Sequence, residues 1–216
     1  MITVGCAGFA VPLTRYVKEF LFVEVQETFN SLPGPGTLGR WKRQGPPGFE
    51  FALQGPREVG QEGFRQGKVV ETALNMLTEV ATDLGSKTVI FTAPPEFVPN
   101  KANRAVVKEF LTLVRQSFPR VVWEAPSSWD PDDALEVALA AKAVAARDPL
   151  NAGTYASSFG YYRLPGPAGH KSRYEDPALE RLTEIVKKTK HQSSVWVFTN
   201  VDMFADAKRL KKLLKL

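Results

Sequence analysis

Thr88-Val89-Ile90-Phe91-Thr92, then Asn103 to Ser117, then Val121-Val122-Trp123-Glu124: two β-branched and aromatic runs flank a segment whose apolar residues fall at Val106, Val107, Phe110, Leu111 and Val114. The runs predict strands, and the 3.6-residue spacing between them predicts a helix. The pattern continues in both directions. Upstream, Gly67 to Leu84 repeats the helical spacing at Val70, Leu74, Leu77, Val80, Ala81 and Leu84, and Gly85 stops it. Further upstream, Phe49 to Gln54, Phe22 to Phe29 and Ile2 to Cys6 read as strands. Downstream come a helix over Asp132 to Ala140, a weaker strand in Ala143 to Ala146, strands at Tyr161 to Leu164 and Val195 to Phe198, and helices from Asp176 to about Lys190 and from Asp202 to Leu216. Three Pro/Gly-rich segments, Leu32 to Gly39, Gly45 to Gly48 and Leu164 to Gly169, read as loops.

Strand and helix therefore alternate about eight times, which predicts parallel strands joined by crossover helices. Within 216 residues that is a (β/α)8 TIM-like barrel of the α/β class near the short end of its range, with the first two helices and the one after the sixth strand shortened. No interdomain linker interrupts the pattern, so residues 1–216 read as one domain. No Gly-x-Gly-x-x-Gly fingerprint supports a dinucleotide-binding sheet instead.

Composition removes several classes of function. One cysteine, Cys6, allows no internal disulfide, and two histidines, His170 and His191, leave little for a zinc or iron site. No metal site and no cofactor is expected, a magnesium ion held by Asp or Glu alone staying open, since it asks for only one or two carboxylates. There is no apolar run long enough to cross a membrane and no basic leader at the N-terminus, so a cytoplasmic protein that does not engage membranes is expected. The net charge of +5 is confined to the end of the chain: residues 171–216 hold 11 Lys/Arg against 6 Asp/Glu, while the remainder balances 17 against 17. That excess reads either as a nucleic-acid patch or as solvated helix faces with cations at their C-termini; the absence of aromatic residues among Lys208 to Lys215 favours the second.

In a barrel the inward strand face lines a ligand site at its C-terminal end. Alternation places Glu24, Gln26 and Thr28 opposite Val23 and Val25, and so inward. Glu124, Arg163 and Asn200 stand at or just past strand ends, and Arg57 lies in the loop after its strand. Two carboxylates with two guanidiniums can serve as an acid/base pair and anion clamps. Arg163 can equally neutralise Glu24 or Glu124 in a structural ion pair. Trp129, Tyr161 and Tyr174 are the aromatic residues placed to stack on a ligand.

Several segments resemble the YecE-like family (domain of unknown function 72). Val4-Gly5-Cys6-Ala7-Gly8-Phe9 is similar to its Gly-Thr-Ser-Gly-Trp opening, and Phe22 to Pro33 to its VEIN-x-TFY-x-LP segment. Trp41 with Phe49 to Arg57, Thr92 to Phe97, Glu124 with Ser128-Trp129, Tyr161 to Gly166 with Tyr174, and Phe198-Thr199-Asn200 resemble five further motifs in the same order. The resemblance implies a (β/α)8 barrel without an established activity, and its shared polar residues fall on Glu24, Arg57, Glu124, Arg163 and Asn200. This chain departs from it at Gln54 (lysine in the family), at Ala125-Pro126 (arginine), at Pro165 (histidine) and at Thr199 (an amide), and has no histidine near Val59-Gly60-Gln61.

Two functions follow as expectations. One is a metal-independent hydrolase or lyase on a phosphorylated or sugar-like ligand, with Glu24 and Glu124 as base and acid, Arg57 and Arg163 holding the anion and Asn200 orienting the substrate. The other is a binder of damaged or single-stranded DNA that uses the arginines and the basic C-terminal helices. A barrel acting only as an interaction scaffold is a third.

Overall fold

The computed structural model describes all residues from Met1 to Leu216. Its first half runs β1 (Ile2–Ala7), α1 (Leu13–Tyr16), β2 (Phe22–Val25), α2 (Glu27–Asn30), α3 (Pro35–Gln44), β3 (Glu50–Gln54), α4 (Arg57–Gln61), α5 (Lys68–Leu84), β4 (Thr88–Thr92) and α6 (Lys101–Val114). The second runs β5 (Arg120–Glu124), α7 (Pro131–Ala140), β6 (Val144–Arg147), α8 (Pro149–Ala152), β7 (Phe159–Leu164), α9 (Asp176–Lys188), β8 (Ser193–Phe198) and α10 (Met203–Leu214). The eight strands form a closed parallel barrel in chain order, and β8 returns to β1 in the register Ile2↔Ser194 to Cys6↔Phe198. No helix is long and apolar enough to cross a membrane.

The chain packs as two compact units: Met1–Glu24 with Gln44–Glu50 and Arg147–Leu216, and Val25–Arg43 with Phe51–Ala146. In the first, Tyr16 is fully buried; its hydroxyl donates to Phe22 O at 2.8 Å and accepts from Cys6 N at 2.9 Å. Burial, with Cys6 beside it, pushes this phenol far above the usual tyrosine range. Tyr16→Phe strips a carbonyl and an amide of their partner in a dry setting and should cost about 1–3 kcal/mol. Urea unfolding checks this, and an unchanged midpoint would show that the two backbone groups find other partners. Cys6 is itself buried, its Sγ 3.4 Å from Met203 O, and burial pushes its thiol up to about 12. It is a small core residue rather than a nucleophile.

Helix ends follow the chain's local chemistry. Asn100 accepts from Asn103 N, and Asp130 accepts from Asp132 N and Asp133 N, so each N-cap satisfies amides that the helix leaves bare. Gly85 stops α5 with φ of 69°, a conformation in which any other residue would crowd its Cβ against the following carbonyl. Lys187 and Lys188 close α9, and Lys211 and Lys212 close α10, where the helix dipole favours cations.

Three local expectations are corrected. The strand that begins at Phe22 stops at Val25, not Phe29. Thr28 Oγ1 lies 3.0 Å from Val25 O, Phe29 N donates to Gln26 O, and residues 27–30 wind into a helical turn. A hydroxyl that bonds back to a carbonyl three residues earlier competes with strand pairing. Gln26 therefore stands at the position before a helix, without a side-chain cap bond, and does not share a strand face with Glu24. The segment read as a loop at Leu32 to Gly39 holds the start of α3, because Pro35 opens a helix at little cost and Leu38 and Trp41, three residues apart, bury one face. Arg57 does not sit in a loop; it is the first residue of α4.

Candidate functional site

In the first unit, Arg163 Nη2 donates to Glu24 Oε1 at 2.8 Å and Tyr161 OH donates to Glu24 Oε2 at 2.7 Å. Glu24 and Tyr161 are fully buried, and Arg163 is 7% exposed. Glu24 is on β2 and its partners are on β7, with β1 and β8 between them in the sheet. Only side chains that point into the barrel can meet across that separation. Tyr161 and Arg163 are two residues apart and share this face; Tyr162, between them, points the other way and stacks on Trp196 with ring centroids 4.2 Å apart. Arg163 pairs with Glu24, one of the two carboxylates open to it on sequence grounds.

A buried carboxylate is costly unless it is paired and its oxygens are bonded. Both conditions hold here: each oxygen of Glu24 accepts from a different donor, one of them charged. The result is a fixed anion that sets the orientation of one guanidinium and one phenol near the C-terminal ends of their strands.

A second network lies in the loops beyond β7 and β8. Asp206 is buried and accepts from Tyr174 N at 3.0 Å, Asn200 Nδ2 at 2.8 Å and Arg209 Nη1 at 3.0 Å. Arg209 also reaches Tyr174 O and Asp176. Asn200 donates a further bond to Ser172 O at 3.0 Å, and its Oδ1 is buried without a partner. Tyr174 is buried, its hydroxyl accepts from Gly166 N at 3.1 Å, and its ring meets Phe198 edge-on. Burial holds that phenol above its ordinary pKa, so it stays a neutral hydroxyl. Asn200 and Tyr174 thus pin loops together. His170, in the same loop, is exposed; its Nδ1 lies 3.0 Å from Thr199 O and its carbonyl accepts from Val201 N at 2.7 Å. Asp206, Arg209 and His170 were not singled out from the sequence. The first two look like an ordinary charged helix face, and a loop histidine carries no periodic signal.

In the second unit, Glu124 ends β5, opposite Thr92 and Ala146 in register. Arg57 is half-exposed with its Nε 3.8 Å from Glu58, a contact too long and too wet to hold it firmly. Gln26 is half-buried at the start of α2. Thr28 is buried, with its Oγ1 2.6 Å from Gln54 O, and Gln54 Nε2 lies 3.5 Å from Thr92 Oγ1. Trp129 is 4% exposed: its Nε1 donates to Phe97 O, its ring stacks on Phe97, and Arg104 Cζ lies 5.2 Å from the ring centroid. Trp129, Tyr161 and Tyr174 are all buried, so none of the three presents an open face for a base to stack on.

The basic C-terminal residues are partly committed within the protein. Lys208 pairs with Glu19 at 2.7 Å, Lys211 donates to Glu19 O at 2.6 Å, and Arg209 belongs to the Asp206 network. No group of three or more His, Cys, Asp or Glu side chains is arranged to hold a metal ion.

Residues 6–216 match the family described as Protein of unknown function DUF72. The chain belongs to that family. A DUF72 family protein from Enterococcus faecalis V583 superposes with a TM-score of 0.80 at 17% identity, covering 100% of this chain and 98% of its own. A DUF72 family protein from Thermotoga maritima MSB8 does so with a TM-score of 0.78 at 19% identity, covering 100% of both. Outside DUF72, D-psicose 3-epimerase with D-tagatose from Clostridium cellulolyticum H10 superposes with a TM-score of 0.65 at 11% identity, covering 99% of this chain and 96% of its own. At these identities the likeness is one of fold. Among curated proteins none matches the sequence. The closed eight-stranded barrel is thus common to this DUF72 chain and the three structures.

Proposed function

We propose that this DUF72 barrel is an enzyme, a hydrolase or lyase that binds a small sugar-like or phosphorylated ligand at the C-terminal ends of its strands. The observation that carries this reading is the triad of Glu24, Tyr161 and Arg163. A buried ion pair with both carboxylate oxygens bonded is expensive to build, and its product is an oriented guanidinium of the kind that holds phosphate or sugar hydroxyls. On this reading Glu24 is a positioning residue and Arg163 faces the ligand. D-tagatose, the sugar of the Clostridium epimerase structure, is of the same polar, polyhydroxylated class.

The test is calorimetric titration with ribose 5-phosphate, D-tagatose and inorganic phosphate. Wild type should bind the sugar phosphate. Arg163→Lys keeps the charge but loses the fork, and should weaken binding about tenfold or more with the fold intact. Wild-type protein that binds none of the three overturns the reading. Retention of a labelled abasic DNA duplex, falling steeply with salt, would instead support nucleic-acid binding. The burial of the three aromatic rings and the internal pairing of Lys208 and Arg209 weigh against it.

A further inference from the structure

Hydrolase or lyase chemistry needs a group that takes and returns a proton. Glu24 is badly suited to that step, because a proton on either oxygen displaces Arg163 or Tyr161. The chain has two histidines, and the structure separates their roles.

His191 precedes β8 and contacts Ser157, which precedes β7, so it lies at the N-terminal ends of these strands. Its Nδ1 is 2.7 Å from Ser157 O and its Nε2 is 2.8 Å from Tyr162 OH. A carbonyl only accepts, so Nδ1 carries the proton and Nε2 accepts from the phenol. Both ring nitrogens are used.

His170 lies at the other end, beyond the C-terminus of β7. Its Nδ1 faces Thr199 O at 3.0 Å, which again places the proton on Nδ1. The neutral ring then carries a lone pair on Nε2, and the ring is exposed with that atom open to solvent. The residue it bonds is anchored in turn: Thr199 N donates to Leu164 O at 2.9 Å, one residue past Arg163. The loop that carries His170 is built rigidly. Gly169 N donates to Gly166 O, Ser172 N and Ser172 Oγ both donate to Gly169 O, and Asn200 Nδ2 donates to Ser172 O. Gly166 has φ of +101°, and a Cβ there would lie 2.6 Å from Gly169 O, so only glycine allows this turn. A fixed tautomer, an open lone pair and a stiff support are what a general base requires.

Resting on the small-ligand reading above, we propose that His170 is the proton-transfer group for a ligand held at the C-terminal ends of β7 and β8. The O–H bond of a ligand hydroxyl breaks, its electron pair stays on the ligand oxygen, and the proton goes to Nε2. The resulting imidazolium keeps its Nδ1–H bond to Thr199 O and returns the proton from Nε2 to that same ligand oxygen, so that the O–H bond re-forms.

Histidine-selective 15N labelling yields two ring systems, and His170→Gln assigns them. In ligand-free protein at mildly alkaline pH, His170 is expected as the Nδ1–H tautomer. Adding ribose 5-phosphate should move its Nε2 resonance in a saturable way and leave that of His191 in place. His170→Gln should stay folded and bind ribose 5-phosphate about tenfold more weakly. A resting Nε2–H tautomer overturns the proposal, and so does saturable binding that leaves the His170 resonances unmoved. Calorimetry that shows no binding of ribose 5-phosphate, D-tagatose or phosphate to wild type defeats the small-ligand reading itself, which distinguishes the two failures.

Discussion

Replacing Arg163 with methionine should cost about 3–5 kcal/mol of folding stability, because it takes the charged partner from the fully buried carboxylate of Glu24. The loss comes less from the attraction removed than from the charge stranded in a dry setting. A double variant, Glu24→Gln with Arg163→Met, removes the stranded charge and should recover much of the loss. Chemical denaturation of wild type, both single variants and the double variant reads the coupling directly. A single-variant loss under about 1 kcal/mol would mean that water reaches Glu24 and that the pair is not the dry, oriented device described above.

Phe110→Ala should cost a similar amount, about 3–5 kcal/mol, for a reason unrelated to charge. Phe110 on α6 is 1% exposed; its ring meets Phe91 edge-on at 4.9 Å and Phe64 at 5.3 Å. Both neighbours are held tightly. Phe64 has φ of +61°, a conformation costly for a bulky residue and held here by packing. Gly55 is bare where a Cβ would sit 2.3 Å from the Phe91 ring. Removing Phe110 therefore opens a cavity and also releases the support of a strained turn. Phe110→Leu, which fills most of the space, should cost clearly less. Equal losses for the two substitutions in thermal unfolding would show that edge-to-face geometry, not volume, dominates.

The barrel was legible because its signals are local and repeated. β4 occupies Thr88–Thr92, the run of β-branched and aromatic residues that marks it, and α5 ends at Gly85 as its apolar period does. Failures came where a tertiary contact outweighs local preference. Gly36 and Gly39 argue against a helix, yet Leu38 and Trp41 bury one face of α3. The alternation through Thr28 argues for a longer strand, yet its hydroxyl lies between Val25 O and Gln54 O and the chain turns into α2. At the candidate site, the strand-end carboxylates and arginines could be named from alternation, and the family resemblance falls on the same positions. That Arg163 reaches Glu24 could not be read, because it depends on which side chains face each other across strands distant in sequence. Asp206 and His170 were invisible for the same reason, since their roles come from the loop they meet.

The closure between β8 and β1 carries a cost in time. Met1 N donates to Gln192 O at 2.6 Å, a contact between residues 191 positions apart in the chain. During synthesis the first strand must wait for the last before its outer edge is paired, so the growing polypeptide exposes two unsatisfied sheet edges for most of its translation. A slow, late closing step and a need for protection from self-association are built into such a ring, however favourable each neighbouring strand–helix–strand unit is on its own.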